Sequence, residues 1–585
     1  MSHHYLNQLF APHSVAVFGA TEREKSVGAL VFQNLLSAGF KGALYPINPK
    51  YTEIQGQPAY PNLAALNKPV DLAVVATPAA TVPGIIRQCG EHGVKGVVIV
   101  SAGFAEAGNR GRRLQQNITE IARQYGIHII GPNCLGIMRP SVGLNATFTR
   151  NHAQPGNLAL VSQSGAMCTA VLDWATSQGI GFSTVITLGD TADVDFGDAL
   201  DFLALDPKTD SILLYVEGIH DARGFMSGLR TASRMKPVIV LKAGRYEEGS
   251  RAVMSHTGAI VGGDDAFDAA LERAGVVRVN TIVQLFAAAQ ILSSGIRVQR
   301  DRLLVITNGG GPGVMATDRA VEMGLRMAEL APNTLAELNK VLPFTWSHGN
   351  PVDILGDADP ERYIAALKVC MQDENLDGIL VMLTPQAMTD PAGVAQAVVN
   401  LCETNKKGKH CRPVLTCWMG EEQVASGRKI LAEAGVPHFR TPESAVEAFA
   451  YLTQYRSNQK LLMQVPPKEQ KTEPDVDGAR LIIESVLAEG RRSLSTTESR
   501  AILAAFRIPA MPTVLVRSPS EALVAAESLG YPVVLKISSH DIQHKSDVDG
   551  VRLNVASAHA ARCAAFIRNC SKPRAAVCRK HASTA

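Results

Sequence analysis

The chain has 585 residues, too many for one hydrophobic core, and this length predicts three to five domains. Hydrophobic residues make up 46%, charged residues 19% and aromatic residues 5% of the sequence, which favours closely packed, parallel α/β layers in a globular protein. The formal net charge of +3 gives no electrostatic argument for nucleic acid or a membrane as a partner.

The first unit, residues 8–145, alternates short apolar stretches with helical patterns. Its strand candidates are residues 14–18, 42–46, 71–76, 96–101 and 128–130. This alternation predicts a doubly wound sheet of the nucleotide-binding type. The loop after the first strand contains Gly19, Ser26, Val27 and Gly28 but no complete GxGxxG, which disfavours a simple dinucleotide oxidoreductase.

Two further residues follow strand candidates of this unit. Lys50 comes after the second strand and Pro78 after the third, so both are expected at the same crevice as the glycine-containing loop. A long loop between strand and helix suits a nucleotide whose phosphates lie differently from those of a dinucleotide, as in coenzyme A. Lys50 is either a phosphate contact or an ordinary solvated lysine.

Two more α/β units follow, at residues 150–295 and 300–455. Each begins with an apolar strand, then a tight turn of small residues, then a helical pattern. The first turn contains Ser164 and Gly165, and the second contains Gly309, Gly310 and Gly311. Such a junction directs backbone N–H groups and the positive end of a helix dipole at one point, so both junctions could hold a phosphate. Each signal is weak by itself, because glycine-rich turns occur in many α/β proteins.

His256 lies among small residues in Ser-His-Thr-Gly, and Glu217 ends a strand in Tyr-Val-Glu-Gly. A lone histidine is usually a surface or satisfied side chain. Here the small neighbours and the two phosphate-holding turns point to an imidazole that carries a phosphoryl group. Glu217 could accept a hydrogen bond from the second ring nitrogen, or it could be a solvated carboxylate at a strand end.

Residues 456–475 are polar and charged, and they predict an interdomain linker. Residues 476–552 read as a small α/β unit in which Lys536 lies on a strand and His544 on a loop. The remaining tail, 553–585, contains basic residues and no Asp or Glu. We expect this tail to be atypical sequence that follows a domain stopped partway, rather than a basic arm for nucleic acid.

The ten cysteines are scattered without a CxxC pair, which predicts reduced thiols rather than disulfides or a zinc site. The first residues lack the charged and apolar regions of a signal peptide, and no apolar run reaches membrane-spanning length. We therefore expect a cytoplasmic protein.

Several motifs in one order resemble the NDP-forming acyl-CoA synthetases, relatives of succinyl-CoA synthetase. They are Ser-Val-Ala-Val-Phe-Gly-Ala, Pro-Ile-Asn-Pro-Lys, Gly-Pro-Asn-Cys-Leu-Gly, Ser-Gln-Ser-Gly, Ser-His-Thr-Gly, Thr-Asn-Gly-Gly-Gly-Pro-Gly, Gly-Asn-Pro-Val-Asp and Gly-Tyr-Pro-Val-Val-Leu-Lys. The resemblance implies an α/β protein with a Rossmann-like CoA-binding domain, two flavodoxin-like CoA-ligase domains and a partial ATP-grasp domain. The implied reaction is acyl-CoA + phosphate + ADP ⇌ carboxylic acid + CoA + ATP.

The same resemblance implies roles for individual residues. His256 would be the phosphohistidine, Glu217 its orienting carboxylate and His544 a second, shuttling histidine. Ser164, Gly165, Gly309, Gly310 and Gly311 would hold phosphate, and Lys536 would contact ATP. The implied CoA contacts are Gly19, Ser26, Val27, Gly28, Lys50, Pro78 and Asn133.

The sequence departs from the family pattern after Val551. An ATP-grasp fold has a second lobe that normally brings the acidic Mg²⁺ ligands, and the acid-free tail cannot supply them. We therefore expect binding of CoA and short-chain acyl-CoA, but an ATP/ADP site without Mg²⁺ ligands from this chain. Oligomeric state is left open, and a homo-oligomer is one outcome.

A second hypothesis also remains. The order of units resembles the synthetase body of bacterial protein lysine acetyltransferases, so the chain could be a regulatory or acetyltransferase-type CoA-binding protein without ligase turnover. The phosphohistidine is often lost in that group, and the presence of His256 favours the synthetase.

Overall fold

The computed structural model describes residues 4–579 except 178, 252–262, 406–411, 465–472, 539–545, 547–549 and 559–573. The chain forms two compact units, Met1–Gln464 and Val465–Ala585. Three large sheets lie in the first unit and a smaller one in the second. In the described residues, no helix combines the length and the apolar character needed to cross a bilayer.

The first sheet is parallel and has five strands. In chain order the strands of this region are β1 (Ser14–Phe18), β2 (Ala43–Ile47), β3 (Glu53–Ile54), β4 (Gln57–Pro58), β5 (Leu72–Val75), β6 (Gly96–Ile99) and β7 (His128–Ile130). The sheet order is β2-β1-β5-β6-β7, and β3 and β4 form a separate hairpin. The α-helices are Asn7–Phe10, Val27–Ser37, Val82–Glu91 and Asn109–Tyr125. The predicted doubly wound sheet is confirmed. Successive strands are added on one side of β1 and then on the other, so the strand order reverses between β1 and β5, where ligands bind in such folds.

The second sheet has seven strands. They are β8 (Gly136–Arg139), β9 (Leu144–Thr147), β10 (Pro155–Ser162), β11 (Phe182–Thr187), β12 (Ser211–Val216), β13 (Val238–Lys242) and β14 (Val277–Val279). Their order is β14-β13-β12-β10-β11-β8-β9. The helices are Gly165–Ser177, Phe196–Leu205, Ala222–Met235, Asp264–Arg273 and Ile282–Ser293. The reversal point of this sheet lies between β10 and β12, so Ser164 and Glu217 follow the two central strand ends.

The hairpin of β8 and β9 joins two parts of the chain that the sequence assigns to different domains. The predicted first unit extends to residue 145, yet β8 pairs antiparallel with β11 of the second sheet. Thr187 Oγ1 donates to the backbone oxygen of Gly136 at 2.8 Å. Asn34, buried on helix Val27–Ser37, donates from Nδ2 to the backbone oxygen of Thr147 at 2.8 Å. The first two sheets are therefore fastened to each other, and one hydrophobic cluster includes residues of both.

The third sheet has six strands. They are β15 (Arg302–Thr307), β16 (Arg326–Met327), β17 (Val352–Asp353), β18 (Gly378–Leu383), β19 (Val414–Trp418) and β20 (His438–Phe439). The order is β16-β15-β18-β19-β20, with β17 beside β15. The helices are Gly310–Glu322, Pro332–Val341, Pro360–Cys370, Pro391–Asn405, Ala425–Glu433 and Pro442–Met463. The last helix runs through residues 456–463, so this part of the predicted linker is helical, with Asn458 and Leu462 buried.

The second compact unit contains helices Val476–Ala488, Thr496–Ala505 and Pro519–Leu529. Its strands are β21 (Thr513–Val516), β22 (Val533–Ser538), β23 (Val551–Val555) and β24 (Arg574–Arg579), in the order β21-β24-β22-β23. Strand β24 lies within residues 553–585, which the sequence predicts to be an atypical tail. It pairs with both β21 and β22, so part of that tail completes the sheet.

Candidate functional site

A cavity of about 390 Å³ opens at the carboxyl ends of β10 and β12. Its wall includes Ser164 and Gly165 from the turn after β10, Glu217 from the end of β12, Asp190 from the loop after β11, and Asn133 from the loop after β7. The structure therefore brings together four of the sequence-predicted residues, Asn133, Ser164, Gly165 and Glu217, and adds Asp190. The carboxyl edge of a parallel sheet at a reversal point is the usual place for a ligand.

The turn at Ser164 is built by short-range hydrogen bonds. Ser162 Oγ donates to the backbone oxygen of Ser164 at 2.8 Å and accepts from its backbone N–H at 3.1 Å. Ser164 Oγ in turn accepts from the backbone N–H of Met167 at 3.2 Å, as an N-cap does. Helix Gly165–Ser177 therefore begins at the cavity wall, where its first N–H groups and its dipole favour an anion.

Gln163 fixes the position of Glu217. Its Oε1 accepts from the backbone N–H groups of Glu217 at 2.6 Å and Gly218 at 3.0 Å, and its Nε2 donates to the backbone oxygen of Gly218 at 2.7 Å. These bonds join the ends of β10 and β12 across the reversal point. Glu217 is nearly buried, with 7% of its surface exposed. The hydrogen bonds from Gln163 therefore fix the backbone that carries this carboxylate.

Asp190 and Glu106 form a pair of carboxyl groups at the cavity. Asn133 Nδ2 donates to Asp190 Oδ1 at 3.3 Å, and the Asp190 carboxyl group also forms a hydrogen bond with the carboxyl group of Glu106. Burial and then the hydrogen bond to Glu106 raise the pKa of Asp190 to about 7. Burial also acts to raise the pKa of Glu106, but hydrogen bonds from Asp190 and from the backbone N–H of Gly103 lower it overall. Asp190 is an acidic residue shortly after a buried strand, which is a pattern that could have indicated it from the sequence, whereas no pattern marks Glu106.

The turn after β1 brings two glycines into close contact. Gly19 has φ +86°, and a Cβ atom on it would lie 2.5 Å from the backbone oxygen of Ala76. A Cβ atom on Gly28 would lie 1.9 Å from the backbone oxygen of Gly19. Ser26 caps helix Val27–Ser37, because its Oγ accepts from the backbone N–H of Ala29 at 3.3 Å. Glycine lets the helix start approach the sheet edge between β1 and β5, which fits the phosphates of a nucleotide.

Val27, Lys50 and Pro78 are exposed at this same edge. The edge connects to the cavity through Ser101, whose Oγ donates to the backbone oxygen of Thr77 at 2.5 Å. The backbone oxygen of Ser101 accepts from the N–H of Asn133 at 3.0 Å. These two hydrogen bonds link the loop after β5, which carries Pro78, to the loop that carries Asn133 on the cavity wall.

The second junction repeats the first with different residues. Thr307 Oγ1 donates to the backbone oxygen of Gly309 at 3.0 Å and accepts from its N–H at 3.1 Å. Asn308 joins the ends of β15 and β18, because Oδ1 accepts from the N–H of Thr384 at 2.8 Å and Nδ2 donates to its backbone oxygen at 2.9 Å. Helix Gly310–Glu322 begins directly after this turn.

Within the part of the chain that the structure describes, the cavity wall contains none of Gly309, Gly310 and Gly311. Gly311 is exposed, and a Cβ atom on it would meet nothing within 4 Å. His256 and His544 lie outside the described residues. Lys536 lies half-buried on β22 in the second compact unit.

The described residues contain no group of three or more His, Cys, Asp or Glu side chains that could hold a metal ion. The described carboxylates near the cavity are arranged as a carboxyl pair and a strand-end glutamate rather than as a cation site. Mg²⁺ ligands are therefore not assigned to them.

Four family models match consecutive parts of the chain. They describe a CoA binding domain (residues 13–140), a succinyl-CoA ligase like flavodoxin domain (155–292), a ligase-CoA domain (303–461) and an ATP-grasp domain (485–576). The first three correspond to the three large sheets, and the fourth to the small sheet, including the first residues of β24.

Curated relatives match over most of the sequence. The chain is 40% identical over 555 residues to acetate–CoA ligase [ADP-forming] I of Archaeoglobus fulgidus. The aligned region covers 94% of this chain and 78% of that protein. It is 34% identical over 551 residues to 4-hydroxybutyrate–CoA ligase [ADP-forming] of Nitrosopumilus maritimus, with 94% and 78% covered.

A solved structure shares the architecture. The acetyl-coenzyme A synthetase 1 of Ca. Korarchaeum cryptofilum, in complex with phosphate and ADP, matches with a TM-score of 0.73 and 34% identity. The match covers 79% of this chain and 99% of that one. The order of domains and the extent of the matches agree, and the chain belongs to the family of ADP-forming acyl-CoA synthetases, which are CoA ligases.

Proposed function

We propose that the chain converts acyl-CoA, phosphate and ADP into a carboxylic acid, CoA and ATP, with the phosphoryl group carried on His256. The observation that supports this most is the cavity in which a helix start at Ser164 faces a nearly buried Glu217, with Asn133 of the CoA-binding region on the same wall. An anion site, a carboxylate and the approach from the CoA-binding region meet at that one place.

In the first step, phosphate bound at Ser164 and Gly165 attacks the thioester carbonyl carbon. The carbon–sulfur bond breaks, the sulfur leaves as the thiolate of CoA and takes up a proton, and an acyl phosphate remains. Backbone N–H groups at the helix start stabilise the charge on the phosphate oxygens without the cost of rearranging mobile side chains. Gly309, Gly310 and Gly311 would supply the second set of such donors.

In the second step, a neutral ring nitrogen of His256 attacks phosphorus and the carboxylate product leaves. Glu217 would accept a hydrogen bond from the other ring nitrogen, which fixes the tautomer and stabilises the positive charge that develops on the ring. The phosphoryl group then passes to ADP, with His544 as a second carrier and Lys536 as a contact for nucleotide phosphates. Mg²⁺ neutralises nucleotide phosphates when it is bound.

CoA would lie along the edge of the first sheet. Its phosphates would meet the N–H groups at Ser26, Val27 and Gly28, and Lys50 and Pro78 would flank it. Gly19 supports this arrangement because a side chain there would push the turn away from β5.

The acyl group is proposed to be short. Two relatives are named for acetate and 4-hydroxybutyrate, and a cavity of about 390 Å³ also has to hold phosphate and the end of CoA.

The proposed location is a reducing cytoplasm. It is supported by the free thiols in the described part of the chain, which are Cys89, Cys134, Cys168, Cys370, Cys402 and Cys417.

Labelling with acetyl [³²P]phosphate tests the proposal without requiring the nucleotide site. The wild-type protein should acquire acid-labile label, and His256→Ala should lose it. His92→Ala is the matched control, because His92 is half-buried outside the cavity wall and its Nε2 lies 2.7 Å from the backbone oxygen of Lys68. Equal labelling of His256→Ala and wild type would contradict the phosphohistidine. Binding of CoA without any label would indicate instead a CoA-binding protein without ligase turnover.

A further inference from the structure

Glu106 and Asp190 are two carboxyl groups in contact at the cavity, and neither has a role in the proposed reaction. Glu106 comes from the segment after β6 and Asp190 from the loop after β11, so each of the first two domains contributes one carboxyl group. Two ionised carboxylates in contact repel each other, and neither has a hydrogen to donate. A hydrogen bond between them requires that one is protonated.

The surroundings indicate which of the two carries the proton. Glu106 accepts hydrogen bonds from two backbone N–H groups, those of Gly103 and Phe104, and such bonds favour its ionised form. Asp190 Oδ2 is buried and accepts no hydrogen bond from any described residue, while Oδ1 accepts from Asn133. A carboxyl oxygen without a donor is the natural position for the hydrogen, because as O–H it can donate to Glu106.

We propose that Glu106 and Asp190 share one proton, so that Asp190 presents an uncharged carboxyl group, rather than a second negative charge, to anions in the cavity. The inference rests on the proposed function for the identity of those anions, phosphate and acyl phosphate. A negative charge at Asp190 would oppose them on the wall that also contains Ser164 and Gly165. Asp190 is thus a positioning residue whose protonation sets the affinity of the cavity for an anion.

The proton would be lost near neutrality, in agreement with the raised pKa of Asp190. Other titratable groups face the same region. Burial raises the pKa of the Cys134 thiol to about 12, so this group stays neutral. Glu217 also lines the cavity, and three residues after Asp190 the carboxylate of Asp193 lies 3.5 Å from His128 Nδ1.

Two measurements test the proposal without requiring turnover. Sulfate is the probe, because it does not titrate near neutrality, and its affinity is measured by calorimetry at about pH 6 and about pH 8.5. Wild-type affinity should fall about tenfold over this interval, as expected when ionisation of one group opposes binding. Asp190→Asn, which keeps the shape and cannot ionise, should bind sulfate with the same affinity at both pH values. Glu106→Gln should shift the loss of affinity to lower pH, because the partner carboxylate that favours the protonated form is gone.

Infrared difference spectra between the same pH values supply the second measurement. A protonated-carboxyl C=O band should disappear as the pH rises in the wild type and be missing from the Asp190→Asn difference. Asp173→Asn, which removes an exposed carboxylate from helix Gly165–Ser177, is the matched control and should behave as wild type in both measurements.

A missing band in the wild type, or a pH-dependent sulfate affinity that persists in Asp190→Asn, would overturn the proposal. If the infrared band is present but the wild type binds sulfate equally well at both pH values, the proton is shared and the second half of the proposal, the control of anion binding, is overturned. If band and affinity behave as expected but His256 is never labelled by acetyl phosphate, the proposed function fails and the shared proton stands.

Discussion

The junctions after β10 and β15 are built by the same set of contacts. In each, a hydroxyl at the strand end closes the turn by bonding both backbone groups two residues further on, and the following side-chain amide joins the neighbouring strand end. Ser162 and Gln163 do this in the second sheet, and Thr307 and Asn308 in the third. Both arrangements deliver the start of a helix to a sheet edge.

The difference between them lies on the neighbouring strand. The amide of Gln163 holds Glu217, a nearly buried carboxylate, whereas Asn308 holds Thr384, whose Oγ1 donates to Asn308 Oδ1 at 2.9 Å. The backbone therefore brings a helix start to a sheet edge twice, and the residue after the adjacent strand decides which junction also has a carboxylate. We expect this one side chain to make the two junctions differ in their chemistry.

Glu217→Gln should produce the largest effect. Loss of the orienting carboxylate should lower the rate of His256 labelling by about 10²–10⁴-fold, since a histidine held in the wrong tautomer cannot act as nucleophile. Labelling is followed by rapid quench with acetyl [³²P]phosphate. Thr384→Val changes the equivalent position of the third sheet and should stay within about threefold of wild type. Equal losses in the two variants would remove the proposed asymmetry.

Removal of the bridging amides should affect stability at both junctions and labelling at one. Gln163→Ala and Asn308→Ala each leave backbone groups without their partner, which should lower the free energy of unfolding by about 1–3 kcal/mol in urea titrations. At subdenaturing conditions Gln163→Ala should also slow labelling, because the backbone of Glu217 is released. If labelling were slower in Asn308→Ala than in Gln163→Ala, the roles assigned to the two junctions would be reversed.

Alanine at the helix starts should separate binding from stability. A Cβ atom on Gly165 would come no closer than 3.4 Å to Leu135, and one on Gly311 would meet nothing within 4 Å. Both variants should therefore unfold at nearly the wild-type temperature, yet weaken phosphate binding about tenfold, which corresponds to about 1.4 kcal/mol. Gly28→Ala provides the contrast, because its Cβ would clash with Gly19 and the unfolding temperature should drop. Unchanged phosphate affinity in Gly311→Ala would exclude the second junction from the site.

The smallest expected effect is on the pH dependence of stability. The pKa of Asp190 is raised in the folded protein, so its contribution is fully present below the ordinary carboxyl pKa and is lost as the pH rises toward about 7. The unfolding temperature of the wild type should consequently fall slightly more than that of Asp190→Asn between acidic and neutral pH. Differential scanning calorimetry measures this difference, and an opposite sign would contradict a protonated Asp190.

The sequence predicts most of the sheet framework because short buried strands leave continuous apolar runs. Val15, Ala16 and Val17, for example, are fully buried in β1. The hairpin of β8 and β9 escapes prediction, since β8 pairs with β11 across more than 40 residues of sequence that contain other strands and a helix. Strand β24 escapes for another reason: its basic, acid-free surroundings resemble unstructured sequence, while pairing on both sides decides the outcome.

The candidate site shows the same division. Ser164, Gly165 and Glu217 follow strands directly, and their location at one edge is a consequence of parallel topology that the sequence pattern contains. Asp190 and Glu106 belong to loops from two sheets, and their contact depends on how those sheets are fastened together. Neither spacing nor composition carries that information.

The crossing of the β8–β9 hairpin has a consequence for how the protein comes apart. A fragment ending at residue 140, where the CoA-binding family match stops, would keep β8 and lose β9, and the remainder would expose the unpaired edge of β11. Such an edge invites aggregation. The first two sheets should therefore melt in one cooperative transition, and limited proteolysis should spare the segment between them even though two family domains meet there.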